Sequence, residues 1–412
     1  MRSKFAAWSL VAACLAVGGC RKPPAAGAKD AYAGWTPAVQ PLASPASGTT
    51  AAPQLTVRGE RAILSWLETA DARTTLKFAE RTGTGWSEPR VVASGPDFVT
   101  NAADVPSVFV LADGTLAAHW NRQYGDDPEA YSLLLSWSKD GGSTWSPPVT
   151  PHHDTTKTQH GFGSLFQAPG FGLGVIWLDG RATDPSAPAG ANGSMGLWTA
   201  TYGVDGRQVG EQSIDARVCE CCQTSVAETA EGEIAAYRDR SAEEVRDIYV
   251  TRLVGRGWST PAIVHSDGWK IEGCPVNGPA VDARGPHVAI AWFTASTNDG
   301  EAFIAFSDDS GRTFSPPVRV DDKACRGHVD VELLADGSAA VSWTESAEGH
   351  SQMKVRRVEQ NGGRSNAVSV ATISGAEYPR LAHGRGELLF TWSEIENGYS
   401  HVRTARASLP SR

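Results

Sequence analysis

A short apolar strand ending in an aromatic residue recurs through the chain, and this repeat limits the fold more than any other feature. The segments AILSW, TLAAHW, LGVIW, EIAAY, VAIAW, AAVSW and LLFTW end at Trp66, Trp120, Trp177, Tyr237, Trp292, Trp343 and Trp392. The intervals are 54, 57, 60, 55, 51 and 49 residues. Such a period marks an array of small units that bury apolar surface only against their neighbours. A Gly-containing turn precedes each strand, as in Ala112-Asp113-Gly114 and Ala335-Asp336-Gly337. Most are followed by a second alternating strand, such as YSLLLSWS or EAFIAFS, and then by GWSEPRVV, TWSPPV, GWSTPAIV or TFSPPVRV. Four short antiparallel strands per repeat predict an all-β fold, a β-propeller. A TIM barrel needs helical patterns between its strands, and none is present. With 43 Gly and 24 Pro in 412 residues, the punctuation also argues against a helical protein. A hydrophobic content of 41% argues against disorder.

Seven aromatic strand ends predict seven blades; six blades with one irregular repeat is the alternative. The last repeat, Glu377 to Leu409, lacks its own W-x-x-P-x-x-V strand. Trp35-Thr36-Pro37-Ala38-Val39 carries that motif near the N-terminus. Residues 34–40 are therefore expected to close the last blade, leaving no open sheet edge. Two hairpins share a sharper mark, Ser138-Lys139-Asp140-Gly141-Gly142-Ser143-Thr144-Trp145 and Ser307-Asp308-Asp309-Ser310-Gly311-Arg312-Thr313-Phe314. Both match S-x-D-x-G-x-T-W/F and resemble the Asp-box (BNR) repeats of the sialidase-like propeller superfamily. In such a box the Asp folds back onto turn amides, the Gly supplies positive φ and the aromatic packs between strands. The resemblance implies the fold over about residues 53–409, and the boxes themselves are structural.

The N-terminus reads as an address. Arg2 and Lys4 precede the apolar stretch Phe5–Val17, and Val17-Gly18-Gly19-Cys20 resembles a bacterial lipobox. Residues 1–19 are then a signal peptide, and Cys20 is the lipidated first residue. Residues 20–52 form a flexible tether rich in Ala, Pro, Gly, Ser and Thr. By resemblance to enterobacterial sorting rules, Arg21 after the Cys favours the outer membrane. The expected location is an exported membrane lipoprotein. The net charge is −9 and becomes more negative once Arg2 and Lys4 are removed. With no Lys/Arg-rich run, nucleic acid is not an expected partner. A monomer is expected, with the membrane, an acidic glycan or an envelope protein as partners.

Five cysteines remain, and three occupy one repeat position. Cys219, Cys274 and Cys325 each lie 18 residues before the strand-ending Tyr237, Trp292 or Trp343. That position is the loop leading into the innermost strand, at the channel mouth. Cys221 and Cys222 share the first loop, and His160 and His328 occupy equivalent loops. Three readings stand side by side. Disulfides suit an oxidising envelope, with one thiol left over. A thiolate–imidazole site suits Zn²⁺ or Cu⁺. Buried cysteines also serve as small apolar residues.

The same loops collect Asp104, Arg326, Asp330, Glu377, Tyr378 and Arg380, and the second strands end at Arg238 and Arg240. In the loop from Gly268 to Pro279, Trp269 and Asn277 are candidates to stack on and hydrogen-bond a polar ligand. Sialidases use a Tyr nucleophile paired with Glu, an Asp acid and three arginines on the substrate carboxylate. The resemblance implies Tyr378 and Glu377 as the pair, Asp330 or Asp104 as the acid, and Arg238, Arg326 and Arg380 as the clamp. The F/Y-R-I-P motif that carries the first sialidase arginine does not occur. P-loop, Rossmann, H-E-x-x-H, G-x-S-x-G and C-x-x-C-H patterns are also absent. Three functions follow as expectations. The first is an envelope binding or assembly protein with a Cys/His cluster for a transition metal or a redox thiol. The others are an exo-α-sialidase-type hydrolase of acidic sugars and a passive carbohydrate- or protein-binding propeller with structural disulfides.

Overall fold

A run of apolar residues without alternation can be a strand only where both of its faces are covered. The repeat strands meet this condition. Leu173–Asp179 is buried at every position, and Trp66, Trp177, Trp292 and Trp343 are fully buried. The computed structural model describes residues 35–168, 170, 172–183, 193–347, 349–373 and 378–409. The signal segment, Cys20, the tether up to residue 34, and Glu377 lie outside the described residues. Among those described, all regular structure is strand.

The strands form antiparallel sheets arranged as a β-propeller. Thr49–Arg58, Arg61–Ala70, Arg73–Glu80 and Arg90–Gly95 make one sheet in chain order. Ala280–Arg284, His287–Thr294, Glu301–Ser307 and Val318–Arg319 make another, as do Cys325–Leu333, Ala339–Ala347, His350–Val358 and Val368–Ile373. Ser225–Thr229, Gly232–Arg238 and Ile248–Val254 are completed by Gly257–Trp258 and Ala262–His265, which both pair with the third strand. A seven-stranded sheet covers Ser107–Val110 through Gln208–Asp215, and its two halves meet at the single parallel pair Ser132↔His160. The aromatic repeat strands are the second strands of these units.

The core lies between sheets. One cluster joins Leu42, Leu55, Leu64 and Trp66 to Ala382, Leu389 and Val402, from opposite ends of the chain. Burying such side chains contributes about 1.5–3 kcal/mol each. The indole N–H groups of Trp177 and Trp292 donate to Asp179 and Asp267, each at 2.7 Å.

The N-terminal strand closes onto the final sheet. Val39–Leu42 pairs with Tyr399–Ser408, beginning at Val39↔Ala407, beside Glu387–Glu396 and Arg380–Gly384. The paired segment starts at Val39, later than the motif suggests, because Trp35 is spent as a core residue against Phe390 and Ala407.

Both Asp boxes fold as expected. Asp309 accepts the Thr313 amide at 2.9 Å, the Thr313 hydroxyl at 2.7 Å and the Ser307 hydroxyl at 2.8 Å. Asp140 repeats the pattern with Thr144 and Ser138. Gly311 has φ +77°, and a Cβ there would come within 2.2 Å of Ile234 Cδ1. The box thus presses its turn onto the neighbouring core.

Candidate functional site

The loop from Val218 to Thr224 gathers three sulfurs because Cys219, Cys221 and Cys222 fall within four residues of a tight connection. The Cys219 amide donates to the Arg238 carbonyl at 3.0 Å and anchors the loop to the neighbouring strand. Cys219 Sγ lies 2.7 Å from Cys222 Sγ and 4.0 Å from Cys221 Sγ. Cys221 is bonded to Cys274 of the next sheet's loop, with the Cα atoms 6.1 Å apart. Cys219 and Cys222 are buried, Cys221 is half-buried and Cys274 is exposed. The disulfide therefore stands between solvent and a buried thiol pair.

A basic network borders these sulfurs. Arg246 Nη1 lies 3.4 Å from Cys219 Sγ and 2.7 Å from Glu220. Arg240 pairs with Glu244 at 2.7 Å and also with Glu220. Burial alone would raise the Cys219 thiol. The contact with Cys222, the Cys221 amide and the charges of Arg238 and Arg246 outweigh it and bring Cys219 down to about 6. Cys222 moves the other way, pushed well up by burial and by its neighbour Cys219.

The expected Cys/His cluster divides. Cys325 is a free buried thiol at the start of its strand, accepting the Gly327 amide at 3.3 Å, and burial pushes its thiol up. Among the described residues no histidine joins the sulfur group. Equal repeat position joined none of the three equivalent cysteines: Cys274 is bonded to Cys221, two residues past the shared position, and Cys219 and Cys325 stay free thiols. His160 instead groups with His152 and Asp154. His328 packs against Tyr378 at 4.1 Å between ring centroids, with the rings tilted by 45°, and its amide donates to Asn277 at 2.7 Å.

The residues expected to contact a ligand are largely engaged by the fold. The Arg238 guanidinium is buried and donates to three backbone carbonyls, those of Asn277, Arg246 and Phe293, at 2.6–2.9 Å. It also sits over the ring of Trp269 at 4.9 Å. Trp269 is itself core, edge-on to Phe293. Asn277 ties Pro275, Arg326 and His328 together through its side-chain amide. The Tyr378 hydroxyl donates to the Val276 carbonyl at 2.6 Å. Asp104 is buried and accepts the Tyr131 hydroxyl at 3.0 Å, and burial raises its carboxyl. Asp330 accepts the Leu381 amide at 2.9 Å, and burial raises it while Arg380 holds it back. Arg326 is exposed and donates to Ser346 at 2.6 Å. It lines a cleft with Asn101, His328, Thr344 and Tyr378. Arg238 does not line this cleft, and its guanidinium is taken up by the three carbonyls.

Sequence reasoning missed the importance of His152 and Asp154. The signal was the run Pro151-His152-His153-Asp154, six residues before His160.

No family model matches the chain, and no curated protein does. Similar solved structures do exist. A polysaccharide lyase of the PL25 ulvan lyase family is 9% identical over 90% of this chain and 94% of its own, with a TM-score of 0.52. The endosialidase of phage phi92 is 10% identical over 91% of this chain and 70% of its own, with a TM-score of 0.50. A protein of unknown function from Dyadobacter fermentans is 14% identical over 88% and 95%, with a TM-score of 0.48. At these identities the likeness is one of fold alone, a β-propeller.

Proposed function

We propose that the protein is a lipid-anchored propeller of the cell envelope that binds its partner through a thiol–disulfide relay. The observation that carries this reading is the buried Cys219–Cys222 pair, 2.7 Å apart and 4.0 Å behind a disulfide with an exposed half. Distance supports redox over metal chemistry for this pair. A tetrahedral zinc with Zn–S of about 2.3 Å holds its sulfurs about 3.8 Å apart. A disulfide bond is about 2.05 Å. The pair lies nearer to bond formation than to joint ligation. The Cys219 thiolate attacks Cys221 Sγ, and the Cys221–Cys274 bond breaks. Cys274 leaves as a thiolate and takes a proton. Cys222, losing its proton, attacks Cys219 and releases Cys221. Two electrons thereby pass from the buried pair to the exposed pair, where an envelope dithiol or disulfide exchanges with them. The lipobox at Cys20 supports the anchoring.

The same reading takes seven blades. The first strands of the units, Thr49–Arg58, Ser107–Val110, His160–Gln167, Ser225–Thr229, Ala280–Arg284, Cys325–Leu333 and Arg380–Gly384, touch in that order, and the last touches the first.

Graded reduction, alkylation and disulfide mapping test the relay. Both the 221–274 and 219–222 bridges should be recovered after partial reduction, and Cys222→Ser should trap a 219–221 bridge. A 221–274 bridge alone, with Cys219 and Cys222 unreactive in the folded chain, makes the sulfurs structural. Stoichiometric Cu or Zn lost on mutating Cys219 makes them ligands instead.

A second reading, binding of an acidic carbohydrate, is favoured by the cleft that exposes Arg326 beside His328 and Tyr378. Its test is a panel of acidic oligosaccharides, with binding lost in Arg326→Ala. The bond from Tyr378 to Val276 and the buried state of Arg238 weigh against sialidase turnover.

A further inference from the structure

Where Tyr131–Ser138 and His160–Gln167 run side by side, two imidazoles lie against each other. The His152 and His160 rings are 4.0 Å apart and nearly parallel. Each turns Nδ1 toward a backbone carbonyl, His152 to Asp154 O and His160 to Thr158 O, both at 3.0 Å. Histidines that ligate metals are held in this way, with one ring nitrogen on a carbonyl and the other presented to the ion. The presented atoms meet polar neighbours. His160 Nε2 lies 3.0 Å from Asp154 Oδ2 and 3.7 Å from Asp179 Oδ1, and His152 Nε2 lies 2.7 Å from the Ser132 hydroxyl. His160 is completely buried, and both of its nitrogens face oxygen. A neutral imidazole has one N–H. Once that hydrogen is on Thr158 O, Nε2 is a lone pair pointing at two carboxylates, an arrangement that a cation between them resolves. The Tyr124 hydroxyl is 3.3 Å from His160 Nδ1, but it is as close to the carbonyls of Thr156 and Thr158.

We propose that His152, Asp154 and His160 hold a divalent first-row transition ion of the Zn²⁺ class, separate from the sulfurs. One ligand atom from each lies within 4.8 Å of the others. Two imidazoles and one carboxylate suit borderline ions and disfavour Cu⁺. Asp179 acts from outside the ligand set. It is fixed by Arg181 at 2.8 Å and by the Trp177 indole at 2.7 Å, and it adds negative charge behind the ion. Three protein ligands leave a coordination position. His152 and Asp154 line a cleft with Arg122, Tyr124, Ser132 and His153, from which water or a small anionic ligand would reach a bound ion.

The test uses the full chain, exported to an oxidising periplasm, with Cys219→Ser and Cys222→Ser to remove the thiol pair. After chelation and dialysis, Zn²⁺ is added and bound metal is measured. One Zn²⁺ per chain is expected. Co²⁺ in its place should give a visible d–d band and no sulfur-to-cobalt charge transfer. Asp154→Asn and His152→Ala should each weaken binding by more than about 100-fold, the upper cost of disturbing even an outer-shell partner. His160→Gln is read only with a circular-dichroism check of folding, and Asp154→Asn, at a half-buried position, keeps the proposal testable if it fails. A folded chain that binds no Zn²⁺, or binds it equally in both variants, overturns the proposal. A His160 ring found protonated on both nitrogens by NMR, with no metal bound, assigns the contact to an imidazolium–carboxylate pair and overturns it too.

Discussion

Replacing Arg246 by Gln removes the cation beside Cys219 and keeps a hydrogen-bond donor. Arg246 Nη1 is 3.4 Å from Cys219 Sγ, and its other partners are Glu220 and Glu244. Unit charges about 4 Å apart attract by about 1 kcal/mol in water and about 4 kcal/mol at an effective dielectric of about 20. One pKa unit is about 1.4 kcal/mol. The variant should therefore raise Cys219 from about 6 by ~0.7 units or more, while Cys222, the Cys221 amide and Arg238 still hold it below 9.0. The assay is the rate of iodoacetamide alkylation of the reduced protein against pH, read on the Cys219 peptide. Stability gives an independent readout. A folded value below the ordinary 9.0 means that the reduced protein gains stability as pH rises from about 6 to about 9 and loses it as pH falls through 6. The full gain is about 4 kcal/mol. Cys222, raised by burial, opposes it only above its unfolded value. The Arg246 variant should flatten the slope between pH 6 and 9. A wild-type midpoint near 9, or a midpoint unmoved by the substitution, refutes the electrostatic reasoning.

Glu233 is 2% exposed beside Glu228, and burial raises it to about 8. The folded chain keeps a proton that the unfolded chain releases, so stability falls as pH rises from 4.5 towards 8. Glu233→Gln should stabilise by up to about 3 kcal/mol at pH 7 and by little near pH 4, measured by urea denaturation at both. Gly311→Ala forces a side chain into positive φ and against Ile234, and should cost about 2 kcal/mol or more in the same assay. Trp35→Ala empties a buried position in the closing sheet and should cost about 3–5 kcal/mol, seen as a lower thermal midpoint.

The repeat and the Asp boxes were readable because they are written in local chemistry. An aromatic must end each second strand for the sheets to pack, and a box needs its Asp, Gly and Thr at fixed offsets. The closing strand was readable from a motif missing at one end and present at the other. The sulfur pairing was not. C-E-C-C admits several partners, and only the ring's geometry puts Cys274 on Cys221 and turns Cys219 to Cys222. Trp269 looks ligand-facing in sequence because a loop rich in Gly and Pro suggests exposure, and Arg238 because it ends a second strand at the channel mouth. The structure folds that loop inward, and the guanidinium satisfies three carbonyls that would otherwise be buried without donors. His152 and Asp154 went unremarked because they share no repeat position with the cysteines or with His328.

The pairing of Val39–Leu42 with Tyr399–Ser408 has a temporal side. Gln40 and Arg406 are 366 positions apart, so the first strand among the described residues waits for the last. Closing so long a loop costs only about 5 kcal/mol of chain entropy, because the cost grows with the logarithm of length. The seam is thus cheap to form but can form only after Tyr399–Ser408 has been made. A prematurely ended chain would keep one naked strand edge at each end of an open array, where proteases and other edges can reach it. The architecture makes closure of the ring itself a condition for survival.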